Sequence, residues 1–100
     1  MQIKKDVYVR NGIVLQSLEI HMKNTTLLVL EGYDAFFMCG ALDPSVYGDR
    51  EVICGRARGV KTISELYNAE ICDLSSYAYS IGLKPGMKVY EAFKQISQKK

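Results

Sequence analysis

The sequence predicts a single α+β domain over residues 1–100, in which an N-terminal antiparallel or mixed β-sheet of about five strands precedes three short helices. Two observations carry this prediction. The first half of the chain alternates apolar and polar residues, whereas the second half spaces apolar residues three and four apart. Strands followed by helices are typical of α+β folds rather than of alternating βαβ units. One hundred residues, 48% of them hydrophobic, suffice for one core.

The first predicted element is a β-hairpin. Residues 2–10 alternate and lead to Asn11 and Gly12. Asn-Gly favours a type I′ turn, because both central residues of that turn need a positive φ. The apolar residues of the return strand change phase near Gln16 and Ser17, which predicts a β-bulge there.

Two later runs, residues 27–30 and 35–39, are apolar on both faces. Two arrangements remain open. Either helices cover one face of these strands and another subunit covers the other, or both strands lie deep in a mixed sheet. A turn is predicted at residues 23–25, before these two runs, and a shorter fifth strand is predicted at residues 52–54.

Three helices are predicted in the second half. Thr62 is followed three residues later by a carboxylate, which is the spacing of a capping box. Asp73 is expected to cap a second helix over residues 74–81, and Gly82 is expected to end it. A third helix is predicted from residue 88 onwards, where apolar residues recur at helical spacing.

Charge and residue counts exclude several classes of protein. The 13 basic and 11 acidic residues give a net charge of +2, without the basic patch typical of nucleic-acid-binding or membrane-surface proteins. The apolar runs are too short to cross a bilayer, and the first residues lack the apolar core of a signal peptide. We therefore expect a cytoplasmic protein. Its three cysteines and one histidine contain no Cys-x-x-Cys pair, so we expect reduced thiols, no metal site and no cofactor.

Three motifs together resemble a known family. They are MCGALD at residues 38–43, GRARGVKTI at 55–63 and GLKPGM at 82–87. In this order they resemble the YunC-like proteins, a small family of bacteria and archaea that carries a domain of unknown function. The resemblance extends from about residue 23 to residue 96.

This resemblance implies an α+β fold and a homotetramer assembled through the N-terminal β region, about residues 1–40. Residues from about 41 to 98 then supply a strand and the helices. The resemblance implies no established activity, substrate or cofactor. The chain departs from the family pattern between the first two motifs, where residues 44–51 replace a longer, helix-like segment. Any cleft wall built by that segment would be missing here.

The strongest candidate site is the glycine-rich loop that leads into the first helix. Arg56 and Arg58 could offer bidentate donors to a carboxylate or phosphate, and glycines allow close backbone approach. The resemblance fixes Arg56 but not Arg58, so Arg56 is expected to hold the anion. The alternative is a structural ion pair of Arg56, for example with Asp43. The expected ligand-binding residues are Arg56, Gly55, Gly59, Thr62, Gly40 and Asp43.

A catalytic role has one weak candidate, Cys39, at the end of a strand. A helix beginning near Asp43 could lower the pKa of its thiol, and His21 could act as its base. The simpler interpretation is a packed thiol. The leading hypothesis is therefore a homo-oligomer that binds a small anionic metabolite. A structural or interaction protein without a ligand is the alternative, and a cysteine-dependent enzyme has the least support.

Overall fold

A mixed sheet of six strands organises the molecule. The computed structural model describes residues 2–40, 44, 48 and 50–98. The strands lie in sequence order; β4 and β5 are parallel, and all other neighbours are antiparallel. They are β1 (Gln2–Arg10), β2 (Ile13–His21), β3 (Thr26–Gly32), β4 (Ala35–Cys39), β5 (Ile53–Ala57) and β6 (Asp73–Leu74). The predicted α+β class is confirmed, with a two-residue sixth strand beyond the five expected.

The N-terminal hairpin forms as predicted, but its bulge does not. Asn11 and Gly12 both have positive φ, 54° and 80°. The β1–β2 register then continues without interruption from the pair Arg10 and Ile13 to the pair Gln2 and His21. The prediction of a bulge near Gln16 and Ser17 is therefore wrong. The phase change reflects two apolar faces of one regular strand, because its second half presents apolar residues to the opposite side of the sheet.

Three helices cover one face of the sheet: α1 (Ile63–Asn68), α2 (Ser76–Ser80) and α3 (Val89–Gln98). Phe37 of β4 and Phe93 of α3 meet edge to face, with ring centroids 4.9 Å apart. Both rings are fully buried, and Leu28 and Leu30 of β3 belong to the same core. Among the described residues, no helix is long and apolar enough to cross a membrane.

The helix ends show which cap predictions hold. The Thr62 hydroxyl accepts a hydrogen bond from the Glu65 amide at 3.1 Å and caps α1, as predicted. Gly82 follows the end of α2 with φ 98°, also as predicted. The expected cap at Asp73 is wrong. Ser75 caps α2, because its buried hydroxyl accepts from the Ala78 amide, whereas Asp73 belongs to β6.

The opposite face of the sheet carries apolar side chains that no described helix covers. We call this the outer face and define it by Ile3, Val7, Val9, Val14, Leu18 and Ile20. These residues alternate with those that face the helices. Across the β1–β2 pairing Ile3 lies opposite Ile20 and Val9 opposite Val14, whereas Val7 lies opposite Gln16 and Leu18 opposite Lys5. Four of them, Ile3, Val7, Val9 and Val14, are between 47% and 60% exposed.

Candidate functional site

Two arginines and one carboxylate form a compact cluster at the β5–β6 edge. Asp73 lies directly opposite Arg56 in the antiparallel register. The Arg56 Nε donates to Asp73 Oδ2 at 2.6 Å, and Arg58 Nη2 lies 3.6 Å from the same oxygen. The Arg56 side chain is 17% exposed, whereas that of Arg58 is 66% exposed. We call Arg56, Arg58 and Asp73 the arginine cluster. The Asp73 carboxylate therefore contacts the guanidinium groups of both arginines.

The predicted glycines separate into three different roles. A Cβ at Gly40 would lie 3.1 Å from Arg58 Cγ, so this glycine lies beside the arginine cluster. A Cβ at Gly55 would lie only 2.8 Å from Leu74 Cδ2, so Gly55 serves the packing of the core face. Gly59 has φ 76° and open space around it, which is the geometry of a turn. Gly40 is therefore the one of these three glycines at which a Cβ would meet the Arg58 side chain.

Thr62 does not reach the cluster through any described contact. Thr62 is occupied by the α1 cap, and the Glu65 carboxylate accepts from the amide of Lys61, the residue before the cap, at 2.7 Å. Two donors at the start of α1 are therefore already bonded. Asp43 lies outside the described residues.

Cys39 and Arg56 project from opposite faces of the sheet. In the parallel β4–β5 pairing, Met38 lies opposite Arg56 and Cys39 lies opposite Ala57. Since side chains alternate along a strand, Cys39 faces the helices whereas Arg56 faces the other side. Cys39 is 5% exposed and belongs to the core, and the Leu28 amide lies 3.5 Å from its Sγ. The two residues therefore do not line one cleft.

The single histidine bonds to neighbouring strand residues. His21 Nε2 lies 3.2 Å from Glu19 Oε1, and its Nδ1 lies 3.4 Å from Thr26 Oγ1. Within the described part of the chain, no hydrogen bond joins His21 to Cys39. The thiol–imidazole pair considered from the sequence is therefore not formed in this conformation.

The other two cysteines occupy contrasting environments. Cys54 is buried on β5, and burial raises the pKa of its thiol above the ordinary value, with a smaller opposing effect from the Ser75 hydroxyl. Cys72 is exposed. No group of three or more metal-ligating side chains comes together among residues 2–40, 44, 48 and 50–98.

Sequence reasoning did not identify a second concave site, which lies between the β1–β2 turn and helices α1 and α3. This cavity has a volume of about 370 Å³. Its lining residues are Asn11, Gly12, Ile13, Tyr67, Tyr90, Lys94, Ser97 and Gln98. The one sequence signal for it is the spacing of the four α3 residues, which places them on one side of a helix. The hairpin and α1 complete the wall only in the tertiary structure.

Comparisons with known proteins agree with this fold. The family model of the domain of unknown function DUF1805 matches residues 38–96. The chain is 30% identical to the uncharacterized protein YunC of Bacillus subtilis over 85 residues, which cover 81% of this chain and 84% of YunC. The crystal structure of a protein of unknown function from Thermoplasma acidophilum superposes with a TM-score of 0.84 at 25% identity, and the match covers 95% of this chain and 93% of that one.

Proposed function

We propose a function for this chain, which belongs to the DUF1805 family and is YunC-like: it binds a small anionic metabolite at the arginine cluster, as a cytoplasmic homotetramer. The observation that carries the ligand proposal is the exposed Arg58 side chain, which is 66% exposed and lies beside Asp73 and Gly40. Its guanidinium group can donate to the carboxylate or phosphate group of a ligand.

Arg58 is the arginine best placed to meet a ligand. Its side chain is 66% exposed, and at 3.6 Å its contact with Asp73 exceeds ordinary hydrogen-bond length. Exposed ion pairs of this kind contribute little to the free energy of folding. Replacing the contact between Arg58 and Asp73 by a contact between Arg58 and a ligand therefore costs little. Arg56 is held at 2.6 Å by Asp73 and adds a fixed positive charge beside it. The principal binding role in this proposal therefore moves from Arg56 to Arg58.

A thermal-shift screen with carboxylate and phosphate metabolites at constant ionic strength tests this proposal. At least one compound should raise the Tm, and Arg58→Gln should abolish that rise because it removes the exposed guanidinium. Lys84→Gln is the control, since it removes the same charge from an exposed position between α2 and α3. The proposal would be refuted by a screen in which no compound raises the Tm. It would also be refuted by a compound that raises the Tm of Arg58→Gln as much as that of the wild-type protein.

The outer face supports the self-association part of the proposal, and also the alternative of an assembly protein without a ligand. Large groups of exposed apolar side chains on soluble proteins are typical of interaction surfaces. Here Ile3, Val7, Val9 and Val14 are each about half exposed on β1 and β2. A second copy of the same face would bury them, which is the isologous contact of a two-fold interface. β1 is also an edge strand of the sheet, which adds unpaired backbone groups beside the patch.

Light scattering of the purified protein at micromolar concentration should therefore give a mass above 11.3 kDa. Val14→Lys should lower that mass, because it places a charge within the patch, directly opposite Val9. Tyr79→Lys is the matched control, since Tyr79 is 49% exposed but lies on α2, away from the outer face. A monomeric wild-type protein, or equal masses for both variants, would contradict assembly through this face.

A further inference from the structure

The cavity between the hairpin turn and helices α1 and α3 has the size and framing of a small-molecule site. Its volume of about 370 Å³ lies within the range of ligand pockets. Tyr90 and Lys94 are one helical turn apart on α3, while Tyr67 projects from α1. Asn11 and Gly12 close the wall through a tight turn of defined geometry. Regular elements therefore hold most of the lining in place before any ligand arrives.

One wall of the cavity is aromatic. The Tyr67 ring lies 5.3 Å from that of Tyr8 and 5.7 Å from that of Tyr90, measured between centroids, with tilted planes. The Arg10 guanidinium lies over the Tyr8 ring, with its Cζ 4.2 Å from the ring centroid. These distances are those of favourable ring contacts. A flat aromatic ligand would extend the same series of rings.

Tyr67 also carries an unusual hydroxyl. The residue is 4% exposed, and its Oη is shielded from solvent without a hydrogen-bond partner among the described residues. Buried tyrosine hydroxyls normally find a partner, so this one points to a missing acceptor. Burial and, to a smaller degree, the neighbouring Tyr8 raise the pKa of Tyr67 above its ordinary value. The hydroxyl therefore keeps its proton near neutral pH and remains a donor.

Charge indicates what kind of group would accept that proton. Lys94 is the one charged side chain among the described residues that line the cavity, and no carboxylate stands among them. The remaining polar lining groups are the side chains of Asn11, Ser97 and Gln98. The ammonium group of Lys94 and the hydroxyl donor of Tyr67 both lie beside aromatic rings. This combination favours a ligand that carries an anionic group on an aromatic ring.

We propose that this cavity binds a small aromatic carboxylate, whose ring packs against Tyr67 and Tyr90 and whose carboxylate pairs with Lys94. Because the Tyr67 hydroxyl is shielded from solvent in the free protein, binding also turns that hydroxyl toward the cavity, where the carboxylate accepts from it. This site is distinct from the arginine cluster and does not depend on it. It lies on the helix side of the sheet, so self-association through the outer face leaves it open.

Benzoate, with benzamide and acetate as comparison compounds, tests the proposal in an NMR titration of the isotopically labelled wild-type protein. Benzoate should perturb the Gly12 amide and the Tyr67 and Tyr90 ring signals in a saturable manner. Benzamide lacks the charge and acetate lacks the ring, so both should bind about tenfold or more weakly. Perturbation by benzoate confined to other residues, or none at millimolar concentration, overturns the proposal.

Three variants test which side chains hold the benzoate. Tyr67→Phe should weaken benzoate binding about tenfold without lowering the Tm of the free protein, since the hydroxyl removed has no partner to lose among the described residues. Lys94→Gln should weaken binding likewise. Arg58→Gln should leave it unchanged, so the outcome is independent of the metabolite screen. A Tyr67→Phe variant that loses stability but binds benzoate normally, or binding that requires Arg58, would refute the assignment.

Discussion

Asp73 determines how the arginines are used. Its carboxylate holds Arg56 at 2.6 Å and contacts Arg58 at 3.6 Å, although it lies 17 positions from Arg56 in the chain. The sequence motif identified both arginines as candidates but gave no sign of this partner. A two-residue strand has no periodicity, so its pairing with β5 is visible only in the sheet register. The same register places Ser75, rather than Asp73, at the start of α2.

The three cysteines should differ strongly in reactivity. Alkylation requires an accessible thiolate, so exposed Cys72 should react with iodoacetamide much faster than buried Cys39 and Cys54. Burial also raises the pKa of Cys54 and lowers its thiolate fraction. Peptide mapping by mass spectrometry at neutral pH measures the three rates, and full reaction of all three thiols in denaturant is the control. Preferential modification of Cys39 in the folded protein would instead support the nucleophile hypothesis.

At the scale of elements, β5 shows how one strand serves two faces. Gly55 and Ala57 pack under the helices, while Arg56 points to the opposite side and meets Asp73. The glycine expected to give a ligand room instead gives room to Leu74 and Phe37. Alternation along the strand therefore divides the GRARGV motif into a packing half and a charged half.

Gly55→Ala should accordingly destabilise the protein. Its Cβ would meet Leu74 Cδ2 at 2.8 Å and both the Asp73 carbonyl and Phe37 Cδ1 at 3.0 Å, and overpacking of this kind costs about 1–3 kcal/mol of unfolding free energy. Gly40→Ala is the matched control, because the nearest atom to its Cβ would be Arg58 Cγ at 3.1 Å, which belongs to a flexible side chain that can move. We expect less than about 0.5 kcal/mol there. Urea unfolding measures both, and equal losses would contradict the packing role of Gly55.

At the scale of the whole molecule, the sheet is covered on one side and open on the other along β1 and β2. All three helices contribute to one core against β2, β3 and β4. The hairpin strands extend this sheet while leaving four apolar side chains about half exposed. The sequence left two arrangements open for the strands that are apolar on both faces, and each describes part of this structure. The strands lie in a mixed sheet, and helices cover one face of it. Whether another subunit covers the outer face is the question that the Val14→Lys comparison answers.

The sequence alone determined the features that depend on neighbouring residues. Asn11 and Gly12 specify the hairpin turn, Thr62 and Glu65 specify the start of α1, and Gly82 specifies the end of α2, because each acts through local backbone geometry or a bond within three positions. The order of strands and helices followed from hydrophobic periodicity in the same way.

Only the tertiary structure decided which side chains meet. The parallel pairing of β4 with β5 puts Cys39 and Arg56 on opposite faces, so the single cleft expected from adjacent motifs does not form. The packing of α1 and α3 beside the hairpin turn creates the cavity at Tyr67 and Lys94. Both results depend on register and packing between segments distant in sequence. A periodic pattern says which residues of one element share a face, but not which other element that face meets.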